Sequence, residues 1–309
     1  MTENMRTFLS NQTNVLSAVT SKPQQINAAA PSANPTTVPE YSSEIADYFL
    51  DMERVLYAER TYMEYQPEVT DKMRKILVDW LGDVIGEFKH HPETYFLAID
   101  IIDRFLCKKH IPRSKLQLVG ITAVLIAAKH EEVWPPTVND CVVVTANTYT
   151  NSDVIDMERE IATTLHFQFT VPTIYPLACR FMDIAFLPSV SRDAVSLFLE
   201  SSAHCYPLLH YLPSRIAAAA FVLGNILIFV ANNRVEGGIS LKQFWNYDMT
   251  LTSRGITVDE LRPIIVELLQ FTQKLCSSSS KLQAVRRKYL SHKYHSVASI
   301  EFPSVSQLC

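Results

Sequence analysis

The sequence predicts an all-α protein, and three observations support that fold class. The chain of 309 residues contains only 7 glycines, well below the average share for soluble proteins. Apolar residues recur at three- and four-residue steps over long stretches, as on one face of a helix. Prolines and N-capping residues interrupt these stretches where new helices would begin. We therefore expect two successive all-helical units, preceded by an N-terminal helix and a disordered tail.

Composition excludes several classes of function. Hydrophobic residues make up 48% of the chain and charged residues 19%. The hydrophobic share is large enough to fill two cores. The net charge of −4 argues against nucleic-acid binding through bulk electrostatics. The six cysteines are scattered without a CxxC pair, so neither a disulfide framework nor a zinc site is indicated. No nucleotide-binding or nucleophile motif is present. We expect no enzyme activity, no cofactor and no metal.

The first two segments differ sharply in composition. Residues 1–38 contain only three charged side chains, and such a segment buries too little apolar surface to offset its ordering entropy. We expect it to be disordered. Residues 39–69 form the N-terminal helix region, where apolar residues recur at helical spacing. These residues are Tyr41, Ile45, Tyr48, Phe49 and Met52.

Residues 70–167 form the first helical unit. The residues that predict helix starts are Thr70 or Asp71, Pro92 with Glu93, Pro112 with Ser114, and Thr150 with Asp153. They predict helices of about 73–88, 92–107 and 114–129 and a last one that ends near residue 165. The stretch 141–145 consists mostly of β-branched residues, but its isolation among helices argues against a strand. Gly82 and Gly86 lie inside the first helix, where each costs about 1 kcal/mol relative to alanine.

Residues 171–277 form the second unit, and residues 278–309 a C-terminal extension. Pro172, Pro213 with Ser214, and Thr257 with Glu260 mark helix starts in the second unit. The longest apolar run, 216–231, is shorter than the roughly 20 residues that span a bilayer. We predict it to be the buried centre of a helical domain rather than a membrane segment.

Several motifs resemble one protein family. Residues 73–81, MRKILVDWL, resemble the MRxILVDWL opening of the cyclin box in A- and B-type mitotic cyclins. Further matches follow in family order: IDRFL at 102–106, KLQLVG at 115–120, AAKHEE at 127–132, PP at 135–136, NTYT at 147–150, ME at 157–158, YLPS at 211–214 and KYH at 293–295. The resemblance covers about residues 41–300 and is densest in the first unit.

This resemblance implies two consecutive five-helix cyclin boxes and a regulatory rather than enzymatic role. The chain would bind and activate a cyclin-dependent protein kinase, help to select its substrates and control the G2/M transition, in nucleus and cytoplasm. The alternatives are an S-phase cyclin and a cyclin-fold transcription factor. The latter would need a basic face, which the near-neutral charge disfavours.

The resemblance also assigns kinase-binding residues. Lys129 and Glu158 match the family's pair that hydrogen-bonds kinase backbone near its C-helix. Ile45 and Tyr48 match an N-terminal helix that packs on the kinase, and His130 stands where the family usually has an aromatic residue. Arg74 and Asp103 match an internal ion pair with a structural role.

A docking groove is implied on the first helix of the first unit. In the family this groove binds RxL-type peptides of substrates and inhibitors, with the arginine on an acid and the leucine on an apolar floor. The matching residues are Met73, Ile76, Leu77, Trp80, Asp83, Leu116 and Gln117. Core packing is the alternative interpretation of this stripe.

The N-terminal tail contains a match to the RxxLxxxxN destruction box of mitotic cyclins. The matching residues are Arg6, Leu9 and Asn14. The resemblance implies recognition by a ubiquitin ligase, and Lys22, which is the only lysine before Lys72, is a candidate acceptor.

Overall fold

The computed structural model describes residues 39–56, 61–233 and 237–309. Over these residues it contains twelve α-helices and no β-strand, which confirms the all-α prediction. The tail that carries Arg6, Leu9, Asn14 and Lys22 lies outside the described residues.

Helix α1 (Ser42–Leu56) precedes two units of five helices each. The first unit contains α2 (Asp71–Phe88), α3 (Pro92–Leu106), α4 (Leu116–Glu131), α5 (Val138–Val144) and α6 (Asn151–Thr164). The second unit contains α7 (Ile174–Ile184), α8 (Ser189–His204), α9 (Pro213–Asn232), α10 (Tyr247–Thr252) and α11 (Val258–Leu275). Helix α12 (Ala284–Leu290) lies in the C-terminal extension.

Local side-chain capping explains several helix starts. Thr70 accepts a hydrogen bond from the Met73 amide at the start of α2, and Thr150 and Thr257 form capping boxes with Asp153 and Glu260 at the starts of α6 and α11. These boxes satisfy amide groups that have no partner within the helix. A third box, between Thr137 and Asp140, begins α5, which ends at Val144, so the stretch 141–144 is helical.

One apolar helix forms the centre of each unit. Helix α4 is buried over nearly its whole length and packs against α3, α6 and α2. Helix α9 packs against α8, α7 and α11. Among the described residues, only α9 is long and apolar enough to cross a membrane, with a mean hydropathy of 1.9, but 72% of that window is buried inside the protein. Its burial is that of a core helix.

The C-terminal extension is part of the core rather than an appendage. Val285, Tyr289 and Val297 are buried, and α12 packs against both α2 and α8. The chain end pairs with residues 239–241 through backbone hydrogen bonds. The extension therefore contacts both five-helix units.

Candidate functional site

The predicted kinase-binding pair is assembled where α4 and α6 pack together. Lys129 lies in the last turn of α4 and Glu158 within α6, and the Lys129 Nζ lies 2.5 Å from the Glu158 Oε1. The lysine is half exposed and the carboxylate partly so. An ammonium group has three donors and a carboxylate about four acceptor sites, so each group keeps unused capacity on its outer side. The pair can donate to a carbonyl and accept from an amide of a second protein.

Two exposed apolar side chains lie on α6 and just after its end, and the sequence analysis missed them. Ile155 lies one turn before Glu158 on α6 and is exposed. Phe167 is 70% exposed, and its amide donates to the Ala162 carbonyl in the last turn of α6. Its backbone is left-handed, with a φ of 57°, which is uncommon for a bulky residue. The only local signal in the sequence was an aromatic residue directly after a helix end.

His130 lies at the margin of the same surface. Its Nε2 is 3.5 Å from the Thr170 hydroxyl, in the link between the two units, and 4.0 Å from Glu131. The ring is only partly exposed. The structure therefore places His130 next to the Lys129–Glu158 pair, with its ring turned toward the link that contains Thr170.

Helix α1 presents an outer apolar face and is fixed by its inner one. Ile45 and Tyr48 are half exposed on the outer face. On the inner face, the Glu53 carboxylate accepts the Ser214 hydroxyl at 2.6 Å and its amide at 2.8 Å. Burial raises the pKa of Glu53, although both hydrogen bonds act in the opposite direction. These contacts hold α1 to the start of α9, so Ile45 and Tyr48 lie against the second unit. Lys129 and Glu158, by contrast, belong to the first unit.

The predicted docking groove contains both core residues and exposed ones. Leu77 and Leu116 are buried between α2 and α4. Gly120 permits this packing, because a Cβ there would lie 2.7 Å from the Leu77 Cδ1. Ile76 is 53% exposed, while Met73 and Trp80 are partly buried against the core. Gln117 is also partly buried. The opposite face of α2 is buried as well. Met73, Ile76 and Trp80 form an apolar stripe on α2 that the rest of the protein covers only in part.

The acid of this stripe already has a partner. Asp83 is exposed at the C-terminal end of the stripe and forms an ion pair with Arg287 of α12. One turn earlier on α2, the Asp79 carboxylate accepts the amides of Gln283 and Ala284 at 3.3 and 3.1 Å. Asp79 therefore caps the start of α12 from another helix.

Arg74 and Asp103 form a buried bidentate ion pair. Arg74 Nε and Nη2 donate to the two Asp103 oxygens at 2.8 and 2.7 Å, and both side chains are about 1% exposed. The Tyr62 hydroxyl donates to Asp103 at 2.8 Å, and Arg74 Nη1 donates to the Ala203 carbonyl at 2.8 Å. Burial disfavours the Arg74 charge, but the facing Asp103 carboxylate outweighs it and raises the pKa of Arg74.

Glu132, in the matched run 127–132, has a structural contact. Its carboxylate accepts the His91 amide at 2.7 Å and the Thr94 hydroxyl at 2.5 Å, which caps the start of α3 from the end of α4. His90 lies 3.6 Å away, and burial lowers the pKa of its ring despite this carboxylate. Across the residues that the structure describes, no group of three or more His, Cys, Asp or Glu side chains could hold a metal ion.

Comparisons with known proteins agree with this architecture. The family model described as "Cyclin, N-terminal domain" matches residues 44–170, and the one described as "Cyclin, C-terminal domain" matches residues 172–303. The chain is 39% identical over 265 residues to Cyclin-A2 of Xenopus laevis, covering 85% of this chain and 60% of that protein. It is 36% identical over 273 residues to Cyclin-B2-1 of Oryza sativa subsp. japonica, covering 88% and 62%.

A solved structure shows the same fold. A viral cyclin from herpesvirus saimiri superposes with a TM-score of 0.63 at 20% identity, covering 74% of this chain and 97% of that one. The chain spans about 60% of the length of the curated relatives described above. Since both family models match in order and together span most of the chain, the chain belongs to the cyclin family.

Proposed function

We propose that this chain is the regulatory subunit of a cyclin-dependent protein kinase, which it binds and activates and whose substrates it helps to select. The observation that carries the proposal is the Lys129–Glu158 pair, exposed at the α4–α6 junction. Exposed Ile155 lies one turn before Glu158 on α6, and exposed Phe167 follows the end of that helix. Proteins of the cyclin family are regulatory and not enzymes. An exposed charge pair bordered by apolar side chains is suited to bind the backbone of a second protein.

Activation would follow from differential binding to two conformations of the kinase. A partner that binds the active conformation more tightly shifts the equilibrium toward it. In kinases, the active conformation requires a lysine–glutamate ion pair between the sheet and the C-helix. Lys129 and Glu158 would hold backbone groups beside that helix, and the outer face of α1, with Ile45 and Tyr48, would add apolar contact.

The test is the double variant Lys129→Ala/Glu158→Ala. Each charge-assisted hydrogen bond to the kinase contributes about 1.5–3 kcal/mol, so the loss of two should weaken kinase binding by about a hundredfold or more. The fold should persist, because an exposed ion pair contributes only about 0–1 kcal/mol to stability. Affinity is measured by isothermal titration calorimetry with purified kinase, and activation by phosphate transfer to a short peptide.

A matched control removes a different exposed pair from the same helix. Arg159 and Asp156 form an ion pair of 2.9 Å on α6. The variant Arg159→Ala/Asp156→Ala should bind and activate the kinase as the unaltered chain does. If the Lys129/Glu158 variant also retains full affinity and activation, the assigned surface is wrong.

We place this activity at the G2/M transition, because the 73–81 motif resembles that of mitotic cyclins of both the A and B types. An S-phase role is the alternative. Protein abundance and associated kinase activity, followed through a synchronised cell cycle, separate the two. A maximum at mitotic entry supports the proposal, and a maximum during DNA synthesis contradicts it.

The sequence of the tail supports degradation through a destruction box. Arg6 would be bound by acidic groups of a ubiquitin ligase and Leu9 by an apolar pocket. The variant Arg6→Ala/Leu9→Ala should therefore lengthen the half-life of the protein at mitotic exit, while kinase activation stays unchanged. Lys22→Arg should have a smaller effect, because other lysines can accept ubiquitin. An unchanged half-life in the double variant would make the motif a chance match.

A further inference from the structure

Asp83 is an exposed acidic group at the C-terminal end of the apolar stripe. Ile76, Trp80 and Asp83 follow one another at four- and three-residue steps on α2, so they lie along one side of the helix. The Arg287 guanidinium already contacts the Asp83 carboxylate. An arginine of a peptide that sought this carboxylate would meet another arginine there.

Arg287 is presented by a fixed helix and not by a loose tail. Asp79 caps the first turn of α12 through two backbone amides. At the other end of α12, Tyr289 is buried, and its hydroxyl donates to Glu200 of α8 at 2.8 Å. Lys288 forms an ion pair with the same carboxylate. Both ends of the short helix α12 are therefore fixed to other helices. This holds the backbone of Arg287 in place beside α2, where Asp83 lies.

The helices also approach each other closely. A Cβ at Gly82 would lie 3.4 Å from the Ala284 Cβ, so the backbones of α2 and α12 lie close together at this point. Along α2, the point lies between Asp79, which caps α12, and Asp83, which pairs with Arg287. Arg287 lies one turn after Ala284 and shares its face of α12. This geometry brings the guanidinium to Asp83.

We propose that Arg287 is a specificity-determining residue of the docking groove. By neutralising Asp83, it makes the groove select docking peptides mainly through their apolar residue, and a basic residue of the peptide contributes only when it displaces Arg287. This inference rests on the proposed substrate-selecting function of the groove. The occupant is a short peptide with a basic residue two positions before leucine.

The expected loss of peptide affinity follows from the exposure of the Asp83–Arg287 ion pair. Arg287 and Asp83 are 63% and 51% exposed, and an exposed ion pair contributes up to about fivefold in an equilibrium constant. Salt screens such a pair. Displacement of Arg287 should therefore cost the peptide a few-fold in affinity at low ionic strength and less at high ionic strength.

The experiment uses the full chain and two fluorescein-labelled peptides, one with Arg-x-Leu and one with Ala-x-Leu, in fluorescence anisotropy titrations. For the unaltered chain, the two dissociation constants should differ by less than about twofold. For Arg287→Ala, the Arg-x-Leu peptide should bind about three- to fivefold more tightly, and the difference between the peptides should widen accordingly. Arg287→Gln should behave in the same way, which tests that the charge and not the length of the side chain is responsible.

Two controls limit the interpretation. Arg286→Ala removes a neighbouring arginine about 100° around the same helix and should change neither dissociation constant. Asp83→Asn combined with Arg287→Ala should abolish the difference between the peptides.

If the unaltered chain and Arg287→Ala show the same dependence on the peptide arginine, the inference is overturned while peptide docking stands. If no variant binds either peptide, the docking function is overturned together with the inference, and kinase activation by the same preparations is judged separately.

Discussion

At Arg74 a single guanidinium group joins three parts of the chain. It lies on α2, its ion-pair partner Asp103 lies on α3, and it donates to the Ala203 carbonyl at the end of α8. Tyr62, from the segment before α2, donates to the same carboxylate. A buried charge of this kind is tolerated only when it is fully paired. The pair therefore ties the first unit to the second as well as joining two helices of the first.

We expect Asp103→Asn to destabilise the protein by about 3–5 kcal/mol, because it leaves the Arg74 charge buried without a counter-charge. The free energy of unfolding is measured by urea denaturation followed by circular dichroism. Asp156→Asn, which removes an exposed partner of Arg159, serves as the control and should change it by about 0.5 kcal/mol or less. Equal effects of the two substitutions would contradict the structural role of the pair.

The sequence allowed part of this site to be predicted. The motifs at 73–81 and 102–106 led to the Arg74–Asp103 pair, because each residue lies within a dense local match. The bond to Ala203 joins residues 129 positions apart, and no local pattern specifies such a contact. Likewise Lys129 and Glu158 could be assigned from their motifs, whereas the exposure of Phe167 depends on where its chain turns after α6.

Helix α2 shows how one element serves three surfaces. Val78, Leu81 and Ile85 are buried in the first unit. Met73, Ile76 and Trp80 form the incompletely covered stripe described above, and Asp79, Gly82 and Asp83 face α12. A helix that must satisfy three neighbours cannot show a single apolar face, which explains why periodicity alone left core packing and docking as alternatives for this stripe.

Two glycines, one in α2 and one in α9, lead to predictions of opposite sign for the change in stability. A Cβ at Gly86 of α2 meets nothing within 4 Å, whereas a Cβ at Gly224 of α9 would lie 2.5–2.7 Å from Val195, including its backbone nitrogen. We expect Gly86→Ala to stabilise the protein by about 0.5–1 kcal/mol through helix propensity. Gly224→Ala should destabilise it by about 1–3 kcal/mol through overpacking of α9 on α8.

Thermal and urea unfolding of the two variants measure both effects on the same scale. Because the substitution is identical, any general consequence of exchanging glycine for alanine cancels in the comparison. A loss of stability in Gly86→Ala would show that the C-terminal turn of α2 has less space than the structure indicates. A neutral Gly224→Ala would show that α8 and α9 can separate without cost.

The ends of the long helices were predicted well, and the short helices were not. The predicted ends near residues 107, 129 and 165 lie within two residues of the observed ends of α3, α4 and α6. The α10 and α12 helices, with 6 and 7 residues, have too few turns to produce a periodic pattern and are stabilised by tertiary contacts. For α12 these contacts include Asp79, which is about 200 residues away in the sequence.

On the scale of the whole molecule, the C-terminal extension links the two units. The sequence placed the end of the second unit at residue 277, because the last strongly periodic helix ends there. In the structure, α12 packs on α2 of the first unit and α8 of the second, and Phe302 packs edge-to-face on Phe198 of α8. The residues after the boundary drawn from periodicity therefore pack against both units.

We expect a chain that ends at Ser277 to lose cooperative folding. Val285, Tyr289 and Val297 are buried, and each buried side chain of this kind contributes about 1.5–3 kcal/mol. Their combined loss is comparable to the total stability of about 5–15 kcal/mol of a typical domain. The truncation also leaves Glu200, which is buried, without Lys288 and Tyr289. Differential scanning calorimetry should show a broad transition or none, and limited proteolysis should degrade the chain rapidly.

Tyr289→Phe is the matched point variant, because it removes only the hydroxyl group that donates to Glu200 and keeps the buried ring. It should unfold cooperatively, with a stability lower by about 1–3 kcal/mol, the cost of leaving a buried acceptor without one of its donors. The truncated chain and this variant thus separate the contribution of apolar burial from that of one hydrogen bond. If the chain that ends at Ser277 unfolds in a sharp transition near that of the full chain, the two units are stable without α12, and the link through Asp79 and Glu200 has no role in holding them together.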